Sequence, residues 1–580
     1  MPAEYILEVK NLSTEFRTRE GTVSAVKNVN FHLEKGKTLG IVGESGSGKS
    51  VTALSIMKLL PDYAFTPNGE ILFSNGGDIQ KNLLLASAAD MQKIRGNQIS
   101  MIFQEPMTSL NPVFSCGEQV SEVLRLHKQL SREEAHQRTL ELFDQVELPR
   151  KEQLYHAYPH QISGGQKQRV MIAMAMSCHP AILIADEPTT ALDVTVQKSI
   201  LRLMEQLQAQ YGMAIIFITH DLGVVGEIAD DVLVMYRGEA VERGAVEQIF
   251  QHPKHLYTQG LLSCRPNANI HMRRLRTVED FMNHTQSVIE PKNPDRQVTI
   301  QEKSPLLVVE NLVKHYTSKK GFFATKEQVV KAVDDVSLVV YPGETVGLVG
   351  ESGCGKTTLG RTILRLIDPT GGKVIFQGKD LTSLSPAALR PMRRDMQIIF
   401  QDPYSSLNPR IPVGEAIMEP MTVHGIGGNA RERKARAEEL LEKVQLSASF
   451  FDRYPHQFSG GQRQRVCIAR ALAVDPRFII CDESVSALDV SVQAQILNLL
   501  KDLQDARNLT YIFISHDLSV IRFMSDRILV MKEGKIVEQG PSEALYLNPQ
   551  NPYTQKLIDA VPPGTPEAIR AAMERRQKRV

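Results

Sequence analysis

Short apolar runs that end in glycine or in acidic residues punctuate this chain twice, in the same order. Thr38 to Val42 and Thr345 to Val349 each run into a glycine-rich stretch followed by helix-compatible sequence, which predicts strand, loop and helix. Further β-rich runs are Ile182 to Ala185, Ala214 to Ile218, Phe478 to Cys481 and Tyr511 to Ile514. Strands alternating with helical stretches predict an α/β fold with a mainly parallel core sheet in each half. Between Gln104 and Ser163 the pattern turns helical and charged, as in Ser131 to Val146, and Ala430 to Val444 matches it in the second half. A helical subdomain inserted in each half follows. From Arg265 to Ser304 periodicity fades while Asn, Pro, Arg and Gln accumulate, which predicts a linker. The Arg273-Arg274-Leu275-Arg276 cluster in it, and the basic tail Arg575 to Arg579, read as solvated.

Composition narrows the class only by exclusion. With 67 basic and 66 acidic residues the net charge is +1, so no global field marks a nucleic-acid binder. No apolar run approaches the roughly 18 to 20 residues that span a bilayer, and Met1 to Lys10 lacks signal-peptide character. The expectation is a soluble cytoplasmic protein. Six cysteines in 580 residues show neither metal-ligand spacing nor disulfide density; Cys178, Cys467 and Cys481 read as small apolar fillers.

The chemistry is written twice. The first set is Gly43-Glu44-Ser45-Gly46-Ser47-Gly48-Lys49-Ser50 with Val51 behind it, then Gln104, Ser163-Gly164-Gly165-Gln166, Asp186-Glu187, Asp193 and His220. The second is Gly350-Glu351-Ser352-Gly353-Cys354-Gly355-Lys356-Thr357 with Thr358 behind it, then Gln401, Ser459-Gly460-Gly461-Gln462, Asp482-Glu483, Asp489 and His516. The lag is 297 for the glutamines (401 − 104) and 296 for the histidines (516 − 220). Loops of this kind wrap phosphates, because glycines let backbone N–H groups converge on an anion at a helix start. Lys49 and Lys356 are expected to reach the β- and γ-phosphates. Ser50 with Asp186, and Thr357 with Asp482, supply the oxygens of a magnesium site. Glu187 and Glu483 place a second carboxylate where attacking water can give up a proton, and His220 and His516 place a donor at the γ-phosphate. Cys354 sits where the loop's N–H groups and Lys356 are expected to favour a thiolate.

The Ser-Gly-Gly-Gln runs, together with the phosphate loops, glutamines, aspartates and histidines, resemble the ATP-binding-cassette ATPases over nearly the whole chain. The resemblance implies two cassettes (residues 1–244 and 305–540) that close head to tail, with ATP and Mg2+ bound. One site would combine Lys49, Glu187 and His220 with Ser459 to Gln462; the other would combine Lys356, Glu483 and His516 with Ser163 to Gln166. It places Phe16 and Tyr316 against adenine, and Gln104 and Gln401 in the catalytic and metal shell.

Gln104 is followed by Glu105-Pro106-Met107-Thr108-Ser109-Leu110-Asn111-Pro112, and Gln401 by Asp402-Pro403-Tyr404-Ser405-Ser406-Leu407-Asn408-Pro409. After the cassettes come His255-Leu256-Tyr257-Thr258-Gln259 and Asn551-Pro552-Tyr553-Thr554-Gln555, in extensions at 245–264 and 541–580. These stretches are similar to those of the dipeptide, oligopeptide and nickel importer subfamily. They imply an energy-coupling ATPase for peptide-like solutes (glutathione, dipeptides or oligopeptides), peripheral on the cytoplasmic face of the inner membrane. Its partners would be two membrane permeases and, through them, an extracytoplasmic solute-binding protein. With only Cys264 in the first extension and none in the second, no iron–sulfur cluster is expected. The rival is a soluble tandem-cassette translation factor acting on ribosomes, against which the extensions and the irregular 265–304 stretch speak.

Overall fold

The computed structural model describes residues 5–18, 21–75, 80–104, 109–190, 192–264, 272–284, 303–319, 327–486, 488–562 and 566–577. In the first half a six-stranded sheet has the order Glu239–Ala245, Asp231–Tyr236, Thr38–Val42, Ala214–Thr219, Ile182–Asp186, Ile99–Ile102. All neighbours are parallel except the outer pair Asp231–Tyr236 and Glu239–Ala245. The central strand Thr38–Val42 is buried throughout, as a strand covered on both faces must be. A four-stranded antiparallel sheet built on Tyr5–Thr18 and Gly21–Glu34 lies beside it in the fold. The second half repeats both sheets, with Thr345–Val349 between Thr510–Ile514 and Arg527–Lys532.

The inserted helices form where the charge periodicity placed them. Arg132–Gln145 starts at Ser131, whose hydroxyl accepts from Glu134 N–H while the Glu134 carboxylate accepts from Ser131 N–H. Ala430–Lys443 starts at Asn429 by the same side-chain cap. Among the described residues no helix is long and apolar enough to cross a membrane.

The two halves do not keep wholly separate cores. One apolar cluster runs from Val42, Tyr257, Leu261 and Val278 into Leu497, Leu500 and Phe523 of the second half. Two segments make this crossing, and each corrects the solvated reading in part: Arg273, Arg274 and Arg575 stay exposed, while Leu275 is buried and Arg576 is docked. Arg273 and Arg274 pair with Asp505 (2.9 Å) and Asp502 (3.5 Å) on helix Val490–Arg507. Between them and the helix, Leu275 is buried, its N–H and C=O both bonded to the Asn498 side chain. From the other end, helix Pro566–Gln577 lies on the first half: Ile569 is buried, Arg570 reaches Glu247, and the Arg576 guanidinium donates to the carbonyls of Glu227 and Ala229. Burial of Leu275 and Ile569, worth roughly 1.5 to 3 kcal/mol per large side chain, docks both segments while most of their arginines keep contact with water. Residues 265–271, 285–302 and 578–580 of the linker and tail lie outside the described residues.

Candidate active site between the halves

Each glycine-rich loop closes around its own lysine. Lys49 Nζ donates to the carbonyls of Gly43 (2.7 Å) and Glu44 (2.8 Å), and Lys356 Nζ to those of Gly350 (2.7 Å) and Glu351 (2.9 Å). The loops need glycine before the helices Lys49–Ile56 and Lys356–Ile363. Gly48 and Gly355 have φ of 100° and 111°, and a Cβ there would meet a strand carbonyl at 2.5 and 2.0 Å. Val51 and Thr358 lie in the first turns of those helices.

The strand-end carboxylates face the loops. Ser50 Oγ donates to Asp186 Oδ1 (3.0 Å) and Thr357 Oγ1 to Asp482 Oδ1 (2.8 Å). Asp482 Oδ2 is buried and accepts no hydrogen bond among the described residues, with the Arg361 guanidinium 4.0 Å away. Burial pushes the Asp186 carboxyl up to about 6 against the Ser50 bond, and it raises Asp482 as well.

The next residue turns sharply. Glu187 and Glu483 both have φ of 48°, a left-handed conformation rare for a side chain of this size. Their N–H groups bond to Ile218 and Ile514 carbonyls on the neighbouring strand, which holds the turn. Glu187 Oε2 accepts from Gln104 Nε2 (3.1 Å) and Thr190 Oγ1 (2.9 Å), and Oε1 lies 3.2 Å from His220 Nδ1. Glu483 Oε2 accepts from Gln401 Nε2 (2.9 Å) and lies 3.4 Å from His516 Nδ1. Burial alone would raise the Glu187 carboxyl. Bonds and charge from His220, with Thr190 and Lys49, win and hold it at about 2. Glu483 is lowered in the same way, against burial, by His516 and Lys356. His220 is raised: burial opposes its charge, and the Glu187 carboxylate outweighs that.

Ser163 and Ser459 cap the helices Gly164–Met176 and Gly460–Leu472, each hydroxyl accepting from the N–H of Gln166 or Gln462, whose side-chain oxygen accepts from the serine N–H. The caps fix the two helix starts, and the start of a helix favours an anion. Ser459, Gly460 and Gly461 line a cavity of about 980 Å³ whose opposite wall is Glu44 to Ser47 of the first loop. Across the same gap Ser491 stands close enough to the Glu44 carboxylate to offset part of the rise that burial gives it. On the other side of the molecule Asp193 of the first half stands close enough to Tyr553 for its charge to act on the phenol. His220 and His516 line a smaller shared cavity, about 100 Å³, between the halves.

Phe16 is half-buried beside Tyr63 (ring centroids 6.0 Å apart), and Tyr316 is 43% exposed with Lys314 over its ring. Cys354 departs from expectation. Its thiol is pushed up by burial, and Lys356 Nζ at 3.9 Å from Sγ does not reverse that, so the loop does not make it a thiolate. Residues 105–108, in the stretch after Gln104, lie outside the described residues.

Sequence reasoning passed over Thr190, Ser491 and the hydroxyls of the extension tyrosines. Tyr257 and Tyr553 accept from the backbone N–H of Glu44 (2.9 Å) and Glu351 (3.0 Å), directly beneath the phosphate loops. The repeat of Tyr-Thr-Gln after each cassette was the available signal, but a hydroxyl's partner 213 positions away is not written in a motif.

Two family models match the chain: "ABC transporter" at residues 26–190 and 333–486, and "Oligopeptide/dipeptide transporter, C-terminal region" at 241–292 and 537–579. The chain is 51% identical to the glutathione import ATP-binding protein GsiA of Escherichia coli O6:H1 over 97% of this chain and 91% of that one. It is also 51% identical to the protein of that name from Salmonella choleraesuis, over 97% and 91%. A solved dimeric ATP-binding cassette in a post-hydrolysis state bound to ADP and Pi is 33% identical, covering 41% of this chain and 98% of that one at a TM-score of 0.37. With two phosphate loops, two matching cassettes and relatives alike over nearly its full length, the chain belongs to the ABC transporter family, in its dipeptide and oligopeptide importer branch.

Proposed function

We propose that this chain is the energy-coupling ATPase of an importer for peptide-like solutes, glutathione foremost, with cassettes at 1–244 and 305–540, extensions at 245–264 and 541–580, and a connection at 265–304. The single observation that carries the reading is the first phosphate loop facing the second Ser-Gly-Gly run across one cavity. ATP held there touches both halves, so its binding free energy favours their closure, and its hydrolysis removes that bias. The glutathione assignment rests on the relatives' name.

Lys49 and Lys356 leave their loop carbonyls for the phosphates. Glu187 and Glu483, ionised at neutral pH, accept from the attacking water and align it, while His220 and His516 stand beside them to donate to the γ-phosphate. The hard-oxygen sets Ser50–Asp186 and Thr357–Asp482 fit Mg2+, and Asp482 Oδ2, unpartnered among the described residues, is an oxygen such an ion would take. Mg2+ supplies charge neutralisation between the β- and γ-phosphates when bound. Gln104 and Gln401, each tied to its glutamate, begin the segments that run to the inserted helices, and Phe114 and Tyr158 line an open groove of about 710 Å³ there, suited to a permease segment. We place the protein at the inner face of the plasma membrane through those permeases.

Reconstitution with its membrane partners in vesicles tests the reading. Glutathione or short peptides delivered by the binding protein should stimulate ATP turnover and accumulate inside. Recovery with ribosomes and not with membranes would overturn it in favour of the translation-factor alternative.

A further inference from the structure

We infer that Tyr257 and Tyr553 are positioning residues for ATP: each extension tyrosine pins the second residue of a phosphate loop and thereby sets where the loop lysine stands. The connection is short and occurs twice. Tyr257 Oη accepts from Glu44 N–H, and the Glu44 carbonyl accepts from Lys49 Nζ. Tyr553 Oη accepts from Glu351 N–H, and the Glu351 carbonyl accepts from Lys356 Nζ. The amide that the hydroxyl holds shares its peptide unit with the Gly43 or Gly350 carbonyl, which also accepts from the lysine, and only the Cα lies between it and the Glu44 or Glu351 carbonyl.

The tyrosines are themselves fixed. Tyr257 is fully buried, with its ring 4.3 Å from that of Tyr236 at the end of strand Asp231–Tyr236. Beyond that strand Gly238 N–H donates to the Ser47 carbonyl, so the loop is gripped from two sides. Tyr553 is 9% exposed with Lys532 over its ring, and Gly534 N–H donates to the Cys354 carbonyl in the same way. Burial raises both phenols, which stay neutral and keep accepting from the amides. Each tyrosine begins a helix, Leu256–Ser263 or Pro552–Ala560, whose continuation docks on the opposite half through Leu275 with Asn498, or Ile569 with Arg576. The extension thus ties a phosphate loop to the half that supplies the facing Ser-Gly-Gly run.

A buried N–H whose acceptor is removed costs a full desolvation penalty or moves until it finds water. A loop free to move must be ordered by the incoming phosphates, which weakens ATP binding before it touches the chemical step. The inference rests on the ATPase reading, and its test separates the two. Tyr257→Phe and Tyr553→Phe keep the ring and delete the acceptor. In the full chain each is expected to raise KM for ATP about five-fold with kcat within about two-fold, and to accelerate amide exchange in the 43–50 or 350–357 peptide alone. KM and loop exchange both unchanged would overturn it. So would a joint loss of kcat and of protection across the whole half, which marks the tyrosine as packing only. Should a variant fail to fold, the parent decides: a Glu44 amide exchanging as slowly as the sheet supports the bond, and one as fast as open loops removes it. A parent with no ATP turnover would sink the ATPase reading while exchange still judges the bond.

Discussion

The two phosphate sites share a scaffold and differ in the groups that tune it. Both have the lysine on two loop carbonyls, the hydroxyl on the strand-end aspartate, and the glutamate in a left-handed turn beside a histidine. In the first site Thr190 Oγ1 bonds the Glu187 carboxylate; in the second, Ser486 Oγ bonds the Glu483 backbone carbonyl. Arg361, set against Asp482, stands where the first half has Leu54 at the same distance from its loop. Backbone-determined features are thus duplicated faithfully, while side chains that adjust charge have diverged. The lesson is that equal geometry does not make the sites electrostatically equal, and each experiment below asks whether turnover notices.

The largest effect is expected from the glutamates. Glu187→Gln with Glu483→Gln keeps the loops and ATP binding but removes both carboxylate bases, and turnover should fall by about 100-fold or more, the usual reach of a positioned base. Phosphate release and nucleotide binding measured together check this. Parental turnover in the double variant would remove the role. The single variants sharpen the comparison: equal losses mean that the sites fire as a pair despite their charge difference, and unequal losses assign turnover to one.

The crossing segments form a second pair. Asn498→Ala strands the buried N–H and C=O of Leu275, and Arg576→Ala frees the carbonyls of Glu227 and Ala229. Each should cost about 1 to 3 kcal/mol, with Asn498 the larger because both of its bonds are buried, as denaturant midpoints will show. Equal midpoints for parent and both variants would mean that the docking adds nothing.

These segments also show where sequence legibility ended. The phosphate loops, strand-end acids and helix caps were legible because each is a local pattern whose physics lies within a few residues, and the repeat removed chance. The docking of Arg273 to Arg276 was not legible, because its partners stand about 230 positions away and a basic run without visible partners reads as solvated. Cys354 failed for a different reason. Loop dipoles and Lys356 belong to the motif itself, whereas burial needs the surrounding sheets in place. Its alkylation should therefore be slower than that of a free thiol at any pH below about 9, as mass spectrometry can follow, and Cys354→Ser should leave turnover within about two-fold. Rapid labelling at pH 7 would restore the thiolate expectation.

The smallest effect separates the two hydroxyls. Thr190→Val deletes a bond to a carboxylate held at about 2. The stability of a carboxyl lowered in the folded state is present above the unfolded value near 4.5 and is lost as pH falls through about 2. Thr190→Val should therefore cost about 1 kcal/mol at pH 7, and it should begin acid unfolding at higher pH than the parent. Ser486→Ala deletes a bond to an uncharged carbonyl, so its cost, whatever its size, should not change with pH. Thermal midpoints from pH 7 downward compare the pair directly. Parallel curves would mean that Thr190 does not tune Glu187 and that the two sites are electrostatically closer than their hydrogen bonds suggest.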